Sequence, residues 1–332
     1  MSQSFSAFVV DKKADQHTVE IKQLELGNLP KEDVLIKVLY SSVNYKDALA
    51  CTPDGKIVTT YPFIPGIDLA GVVVSSKDHR FKSGDQVIAT GFEIGVTTFG
   101  GFSGYASLPG DWIVPLPSQM TLEESMIFGT AGFTAALAIA KLEQNGLTPE
   151  KGKVLVTGAT GGVGTTAVVM LSRLGYDVIA STGKSSQADY LDQLGATAVL
   201  PRTAIYDGKI KALDKTQFAA AIDPVGGNQL ASLLSKINYG GSVAVCGLTG
   251  GSKVPTTVFP FILRGINLLG IDSVYCPMPL RKTLWKRMAT ELKDSQKLAI
   301  IKKEIPFQAL PEILPKLLEG NSVGRIVVKI NF

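Results

Sequence analysis

From Val154 to Gly164 the chain reads Val-Leu-Val-Thr-Gly-Ala-Thr-Gly-Gly-Val-Gly. A short β-branched apolar run meets a cluster of glycines, and an apolar stretch of helical length follows through Leu171. This is the form of a strand, a tight turn and a helix N-terminus. Glycine lets the backbone turn sharply and approach a pyrophosphate, while the helix's free N–H groups and positive dipole end face the anion. The chemistry expected of such a turn is dinucleotide binding. Its spacing is Gly-x-x-Gly-x-x-Gly with Gly162 added, so on the motif alone a βα turn that binds nothing stays open.

The next strand-like run, Asp177-Val178-Ile179-Ala180, leads into Ser181-Thr182-Gly183-Lys184-Ser185-Ser186. Folds that prefer NAD usually end this strand with an acidic residue that binds the ribose hydroxyls. Here no carboxylate appears before Asp189. Hydroxyls, a glycine and a cation would hold a ribose 2′-phosphate by charge-assisted hydrogen bonds, where a carboxylate would repel it. The expected cofactor is NADPH. Lys184 as an ordinary solvated lysine is the competing reading, and the missing acid is the stronger observation.

A parallel sheet has to carry this turn, and the pattern supplies one. The first third reads as β-rich, with strand-like runs at Val34–Tyr40 and Ala70–Val74 and a turn-then-strand form at Phe81–Ala89. From about Thr121 helices and strands alternate, the mark of a doubly wound sheet. Its expected strands include Val154–Thr157, Val178–Ser181, Ala219–Asp223, Ser242–Cys246 and Leu268–Ile271, and Gly324–Ile330 reads as a terminal strand returning to the first domain.

With 332 residues, 45% of them hydrophobic, two well-buried cores are expected. A formal charge of +4, without a basic run, argues against nucleic-acid or membrane partners. Met1–Phe5 lacks the form of a secretory signal, and the apolar stretch Met126–Ala140 reads as too short for a bilayer and as a buried helix. Cys51, Cys246 and Cys276 are too few and too scattered for a disulfide framework, so a cytoplasmic protein is expected.

The chain resembles the zinc-free medium-chain dehydrogenase/reductases over nearly its full length. The likeness rests on the glycine turn, Ser41-Ser42-Val43-Asn44-Tyr45-Lys46-Asp47, Pro65–Gly71, Gly129–Thr134, Ile222–Gly227, Asn238–Gly241 and Pro260–Gly265. The Asn-Tyr-Lys-Asp and Pro-Phe-Ile-Leu-Arg segments are similar to the YhdH/YhfP branch, which includes quinone oxidoreductases and NADPH-dependent acryloyl-CoA reductases. The resemblance implies an α/β chain: a GroES-like β-rich catalytic domain (1–126 with 299–332), a Rossmann domain (127–298), and an active-site cleft between them. It also implies cofactor contacts at Tyr45, Thr160, Gly161, Gly162, Val163, Thr182, Gly183 and Lys184, with Arg202, Leu248, Ile262, Ser273 and Arg325 as further carry-overs. Arg202 as a surface arginine and Arg325 as a strand anchor stay open.

Where the zinc alcohol dehydrogenases carry a metal-binding His, this chain has Ile67, and its two histidines, His17 and His79, fall in expected surface turns. Catalytic zinc needs about three protein ligands, so no metal is expected. Zinc would polarise a carbonyl; without it, a conjugated acceptor is favoured, because hydride at Cβ leaves a delocalised enolate that a hydrogen-bond donor can stabilise. Tyr45, in the loop replacing the zinc-ligand segment, is the expected donor, with water as the alternative proton source. Asn44 and Asp47 are weighed as catalytic or, more simply, as shapers of that loop. A small enoyl-CoA, enone or quinone substrate and a homodimer are expected, with a non-catalytic NADPH sensor as the rival of another class. Lys56, Arg80, Lys82, Arg281 and Lys282 are candidates for a basic CoA rim.

Overall fold

The computed structural model describes residues 4–13 and 16–331. Met1–Gln3, on which the expectation of no secretory signal partly rests, lie outside the described residues. Strands run in the order β1 (Ser4–Lys13), β2 (Gln16–Glu25), β3 (Val34–Val43), β4 (Asp68–Ser76), β5 (Gln86–Thr90), β6 (Tyr105–Leu108) and β7 (Ile113–Pro115). They continue as β8 (Val154–Val156), β9 (Val178–Thr182), β10 (Ala198–Pro201), β11 (Phe218–Asp223), β12 (Ile237–Val245), β13 (Asn267–Gly270), β14 (Lys302–Pro306) and β15 (Arg325–Lys329). The first helices are α1 (Tyr45–Ala50), α2 (Leu122–Gln144), α3 (Gly162–Arg173), α4 (Ala188–Gln193) and α5 (Arg202–Ile205). The rest are α6 (Gly227–Leu234), α7 (Phe259–Arg264), α8 (Met278–Ala289), α9 (Ser295–Ile301) and α10 (Leu310–Leu318).

The chain divides into two compact units: Met1–Thr130 with Val274–Ala289 and Lys302–Phe332, and Ala131–Ser273 with Thr290–Ile301. In the first unit a seven-stranded sheet runs β14-β15-β3-β4-β5-β7, with β6 also on β3. Along β3 the residues Val34, Ile36 and Val38 are buried in alternation, which turns one face of the strand onto a core with Phe8, Leu69, Phe102 and Val328. Strand β15 pairs antiparallel with β3, so the chain's last strand does return to the first unit.

The second unit is a six-stranded parallel sheet in the order β10-β9-β8-β11-β12-β13. Counted from β8 this is 3-2-1-4-5-6, the doubly wound dinucleotide-binding order. Strands β8, β9 and β11 are buried at every position, as a sheet covered on both faces requires.

Residues 274–289, expected within the Rossmann domain, cluster with the first compact unit. The reason is Arg281, which is 1% exposed: its guanidinium donates to Thr90 O and Oγ1 and to Val274 O, and lies 4.5 Å over the Phe92 ring. So enclosed, Arg281 is no rim cation, and Arg80 is likewise engaged by Asp78 and Asp111. The apolar stretch at Met126–Ala140 is also part of a longer helix, α2, which has the length and hydropathy of a membrane span. Of its most apolar window 89% is buried in the fold, so α2 is a core helix here, bent where Gly129 adopts φ 50° and ψ −155°.

Candidate active site

The first unit presents Tyr45. Strand β3 ends at Val43, and Asn44, extended at φ −126° and ψ 159°, caps α1, so Tyr45 is the first helical residue. Its side chain is 50% exposed. Asn44 N–H donates to Asp47 Oδ2 (2.8 Å), and Ile67 N–H donates to Asp47 Oδ1 (2.8 Å). Asp47 is fully buried. With both oxygens accepting backbone N–H groups it holds the turn.

The Asn44 side chain is held at both ends: Nδ2 donates to Asp68 Oδ2 (2.7 Å) and Oδ1 accepts from Arg325 Nη1 (3.2 Å). The buried Asp68 carboxylate also accepts from Ser42 Oγ (2.6 Å), Thr130 N (2.9 Å) and Thr130 Oγ1 (2.5 Å). Arg325 further donates to Ile127 O, Val43 O and Ser42 Oγ. It is 3% exposed, and four of its five N–H donors are engaged inside the unit. These contacts tie the last strand to β3 and α2. Asn44 is likewise a link in this cluster.

The pattern had pointed to the segments but not to Asp68, Thr130 or Ser42 as a cluster. The available signal was a lone acid opening the apolar run Asp68–Val74 and a lone arginine opening Arg325–Val328. Opposite charges inside apolar strands must find partners when buried.

Burial and the nearby Asp68 charge push Asp47 up to about 7, against the pull of its N–H donors. A free Asp titrates near 3.9. Between these values the native state holds the proton more tightly, so the group's contribution to stability is present at low pH and lost as pH rises through about 7. The melting-temperature advantage of the wild type over Asp47→Asn is therefore expected to shrink from pH 5 to pH 8. A pH-independent difference in calorimetry would contradict this.

In the second unit the glycine turn joins β8 to α3. Gly158 takes φ +53°, and Gly161 N–H donates to Gly158 O (2.9 Å). A Cβ at Gly164 would meet Gly158 O at 2.3 Å, so this glycine lets the helix close on the turn, whereas one at Gly161 would meet only Gly158 O, at 3.4 Å. Gly161 caps the N-terminus of a 12-residue helix, where Gly162 and Val163 contribute first-turn N–H groups.

On the neighbouring strand β9, Thr182 Oγ1 lies 3.4 Å from Thr160 Oγ1 and accepts from Lys184 N–H (3.0 Å). A Cβ on Gly183 would meet Arg202 Nη2 at 2.4 Å, so the guanidinium lies directly against the Gly183 backbone. Burial lowers the pKa of Lys184. The structure thus brings Thr160, Gly161, Gly162, Val163, Thr182, Gly183, Lys184 and Arg202 to the exits of the adjacent strands β8, β9 and β10. These residues fit a dinucleotide phosphate ester: a glycine cradle on a helix N-terminus, then hydroxyls and two cations with no acid among them.

The other carry-overs are more scattered. Leu248 follows β12 and is 65% exposed. Asp223, at the exit of β11, accepts from Thr157 Oγ1 and from Gly226 N–H (2.7 Å), joining the glycine turn to the next strand; burial raises its pKa. Ser273 Oγ accepts from Thr134 Oγ1 (2.8 Å). Ile262 lies on α7, which is fastened through Arg264 to Ser235 O and Asp214 O, ahead of β12. Ile67 is buried, and among the described residues no group of three or more His, Cys, Asp or Glu stands close enough to hold a metal ion.

Two family models match the chain: an alcohol dehydrogenase GroES-like domain over residues 30–118 and a zinc-binding dehydrogenase domain over residues 162–290. YhfP of Bacillus subtilis, provisionally named a quinone oxidoreductase, is 59% identical over 330 residues, covering 99% of this chain and 100% of YhfP. The acrylyl-CoA reductase AcuI of Ruegeria pomeroyi is 46% identical, covering 98% of this chain and 99% of AcuI. The crystal structure of YhfP with NAD bound matches with a TM-score of 0.97, again over 99% and 100% of the two chains. The yhdH oxidoreductase of Salmonella enterica in complex with NADP matches with a TM-score of 0.95 at 43% identity, over 98% and 100%.

Proposed function

The chain belongs to the YhfP/AcuI family of medium-chain dehydrogenase/reductases, and from that premise we propose that it uses NADPH to reduce a conjugated C=C bond in a short enoyl-CoA of the acryloyl-CoA kind, or in a small enone. Likeness to an acrylyl-CoA reductase at 46% identity supports the substrate class. The observation that carries the reaction type is Tyr45, a half-exposed phenol at the head of α1, in a loop where zinc enzymes of this fold place a Lewis acid. Reduced NADP, when bound, supplies a hydride.

The rest is the work of this chain's residues. The first-turn amides at Gly162 and Val163, with Thr160 and Gly161, hold the pyrophosphate, and Thr182, Lys184 and Arg202 hold the 2′-phosphate. Tyr45 donates a hydrogen bond to the acceptor's carbonyl oxygen as negative charge gathers there, and the enolate then takes a proton at Cα from Tyr45 or water. Removing one such donor costs roughly 10²–10³ in kcat. A structure of a relative with NAD bound makes the cofactor preference a matter for measurement.

The direct test follows absorbance of NADPH and, separately, NADH with metal-stripped protein and acryloyl-CoA, a simple enone and a benzoquinone in parallel. Turnover of acryloyl-CoA or the enone with NADPH is expected. Benzoquinone turnover alone would move the assignment to quinone reduction, and saturable NADPH binding without turnover would favour a sensor.

Edge strand β13 and helix α7 leave Leu268, Val258 and Ile262 exposed, which supports a homodimer formed edge to edge. Sedimentation at twice the 35.2 kDa chain mass is expected, and a monomer at micromolar concentration would remove the dimer. Three free cysteines suit a reducing, cytoplasmic setting.

A further inference from the structure

We propose that Asp68 and Arg325 form a buried clamp that aims Tyr45 by gripping the side chain of Asn44, the residue immediately before it. The proposal rests on Tyr45 being the hydrogen-bond donor of the reaction. It makes Asp68, Arg325 and Asn44 positioning residues, and it gives the last strand of the chain a part in the chemistry.

The argument begins with the charges. Asp68 and Arg325 are buried, 0% and 3% exposed, yet their nearest charged atoms, Oδ2 and Nη2, are 4.0 Å apart. That is too long for a direct hydrogen bond. Desolvating two charges is costly and is best offset by close, bidentate contact, which this pair does not make. Two neutral side chains stand between them instead. Ser42 Oγ donates to Asp68 (2.6 Å) and accepts from Arg325 Nη2 (2.9 Å). Asn44 donates its amide to the same carboxylate and receives a guanidinium N–H on its carbonyl.

A carboxylate only accepts and a guanidinium only donates, so a single orientation of the Asn44 amide satisfies both. The backbone of Asn44 is fixed as well, through its N–H to Asp47 and its O from Asp47 N–H. The remaining wall of the clamp is Gly129, where a Cβ would meet Asp68 Oδ2 and Ser42 Oγ at 2.5 Å and Arg325 Nη2 at 2.7 Å. Thr130 occupies the other Asp68 oxygen. Tyr45 begins its helix from this fixed point, and no hydrogen bond of its own phenol steadies it among the described residues. Its direction is therefore inherited from Asn44.

The test is a double-mutant cycle of Asn44→Ala and Tyr45→Phe, with Asn44→Ser as a second variant that keeps a good helix cap but cannot span both charges. Misplacing a reacting group by about 1 Å costs on the order of 10²-fold. Asn44→Ala and Asn44→Ser are thus expected to lower kcat about 10- to 100-fold with KM and NADPH affinity held within about 2-fold. In the Tyr45→Phe background the same changes are expected to add almost nothing, because the side chain they aim is gone. Equal losses in both backgrounds would overturn the clamp while leaving Tyr45 as donor.

A near-normal rate for Tyr45→Phe would instead remove the donor reading. The clamp then stands or falls on the ¹⁹F resonance of fluorotyrosine placed at position 45. One narrow line that broadens or splits in Asn44→Ala supports aiming, and an unchanged line overturns it.

Discussion

Gly129→Ala is expected to destabilise the protein by roughly 3–5 kcal/mol, the size of effect reserved for core clashes and forced backbone geometry. Two costs coincide at this position. The conformation, φ 50° and ψ −155°, is one that L-residues rarely adopt. The new methyl would also stand 2.5 Å from Asp68 Oδ2 and Ser42 Oγ and 2.7 Å from Arg325 Nη2. None of these atoms can retreat cheaply, since each is buried and hydrogen-bonded. Gly146→Ala separates the costs, because Gly146 has φ +83° but nothing within 4 Å of a Cβ. That control should lose about 1 kcal/mol from the backbone term alone. In a thermal melt Gly129→Ala should fall by several degrees more than Gly146→Ala. Equal melting temperatures for the two variants would mean that the cluster around Asp68 yields easily, and that it is a poor clamp.

The contrast between this cluster and the glycine turn shows what a single sequence can display. The turn was legible because its parts are local: Val154–Val156, the glycines and α3 are contiguous, and the acid missing after Ala180 is a property of one short run. The strands of the parallel sheet were legible for the same reason, being short apolar runs between turn residues. The Asp68 cluster draws on β3, β4, α2 and β15, with Ser42 and Arg325 separated by 283 residues. No periodicity marks such a meeting. The packing of residues 274–289 on the first unit is likewise unmarked, since helical amphipathicity shows that a helix has a buried face but not which sheet receives it. What decides it is Arg281 reaching Thr90 across 191 residues. The hairpin of β1 and β2 escaped notice because Glu20, Lys22, Gln23 and Glu25 interrupt β2, which is nowhere fully buried. The capping of α1 by Asn44 and Asp47 was legible because capping is local chemistry.

Lys184→Ala combined with Arg202→Ala is expected to weaken NADPH binding by about 10²–10³-fold while changing NADH binding by less than about 3-fold. Each side chain stands to make a charge-assisted hydrogen bond to the 2′-phosphate, worth about 1.5–3 kcal/mol. NADH carries a hydroxyl there, so neither cation gains much from it. The two cations reach the site by different routes: Lys184 from the end of β9, its backbone N–H on Thr182 Oγ1, and Arg202 from the first position of α5, with its guanidinium against Gly183. Partial burial already lowers the Lys184 pKa, so an anion beside it would find a cation that has lost part of its water and has less to give up. Single variants should each lose about 10-fold or more, and their effects should fall short of additive if the two cations share one phosphate. Gly183→Ala offers a check free of charge changes, since its methyl would displace the Arg202 guanidinium and should reproduce most of the Arg202→Ala loss. Isothermal titration with both cofactors decides the matter. Equal losses for NADPH and NADH would place these side chains on a part of the cofactor common to both, and would leave NADPH preference without a physical basis in this strand end.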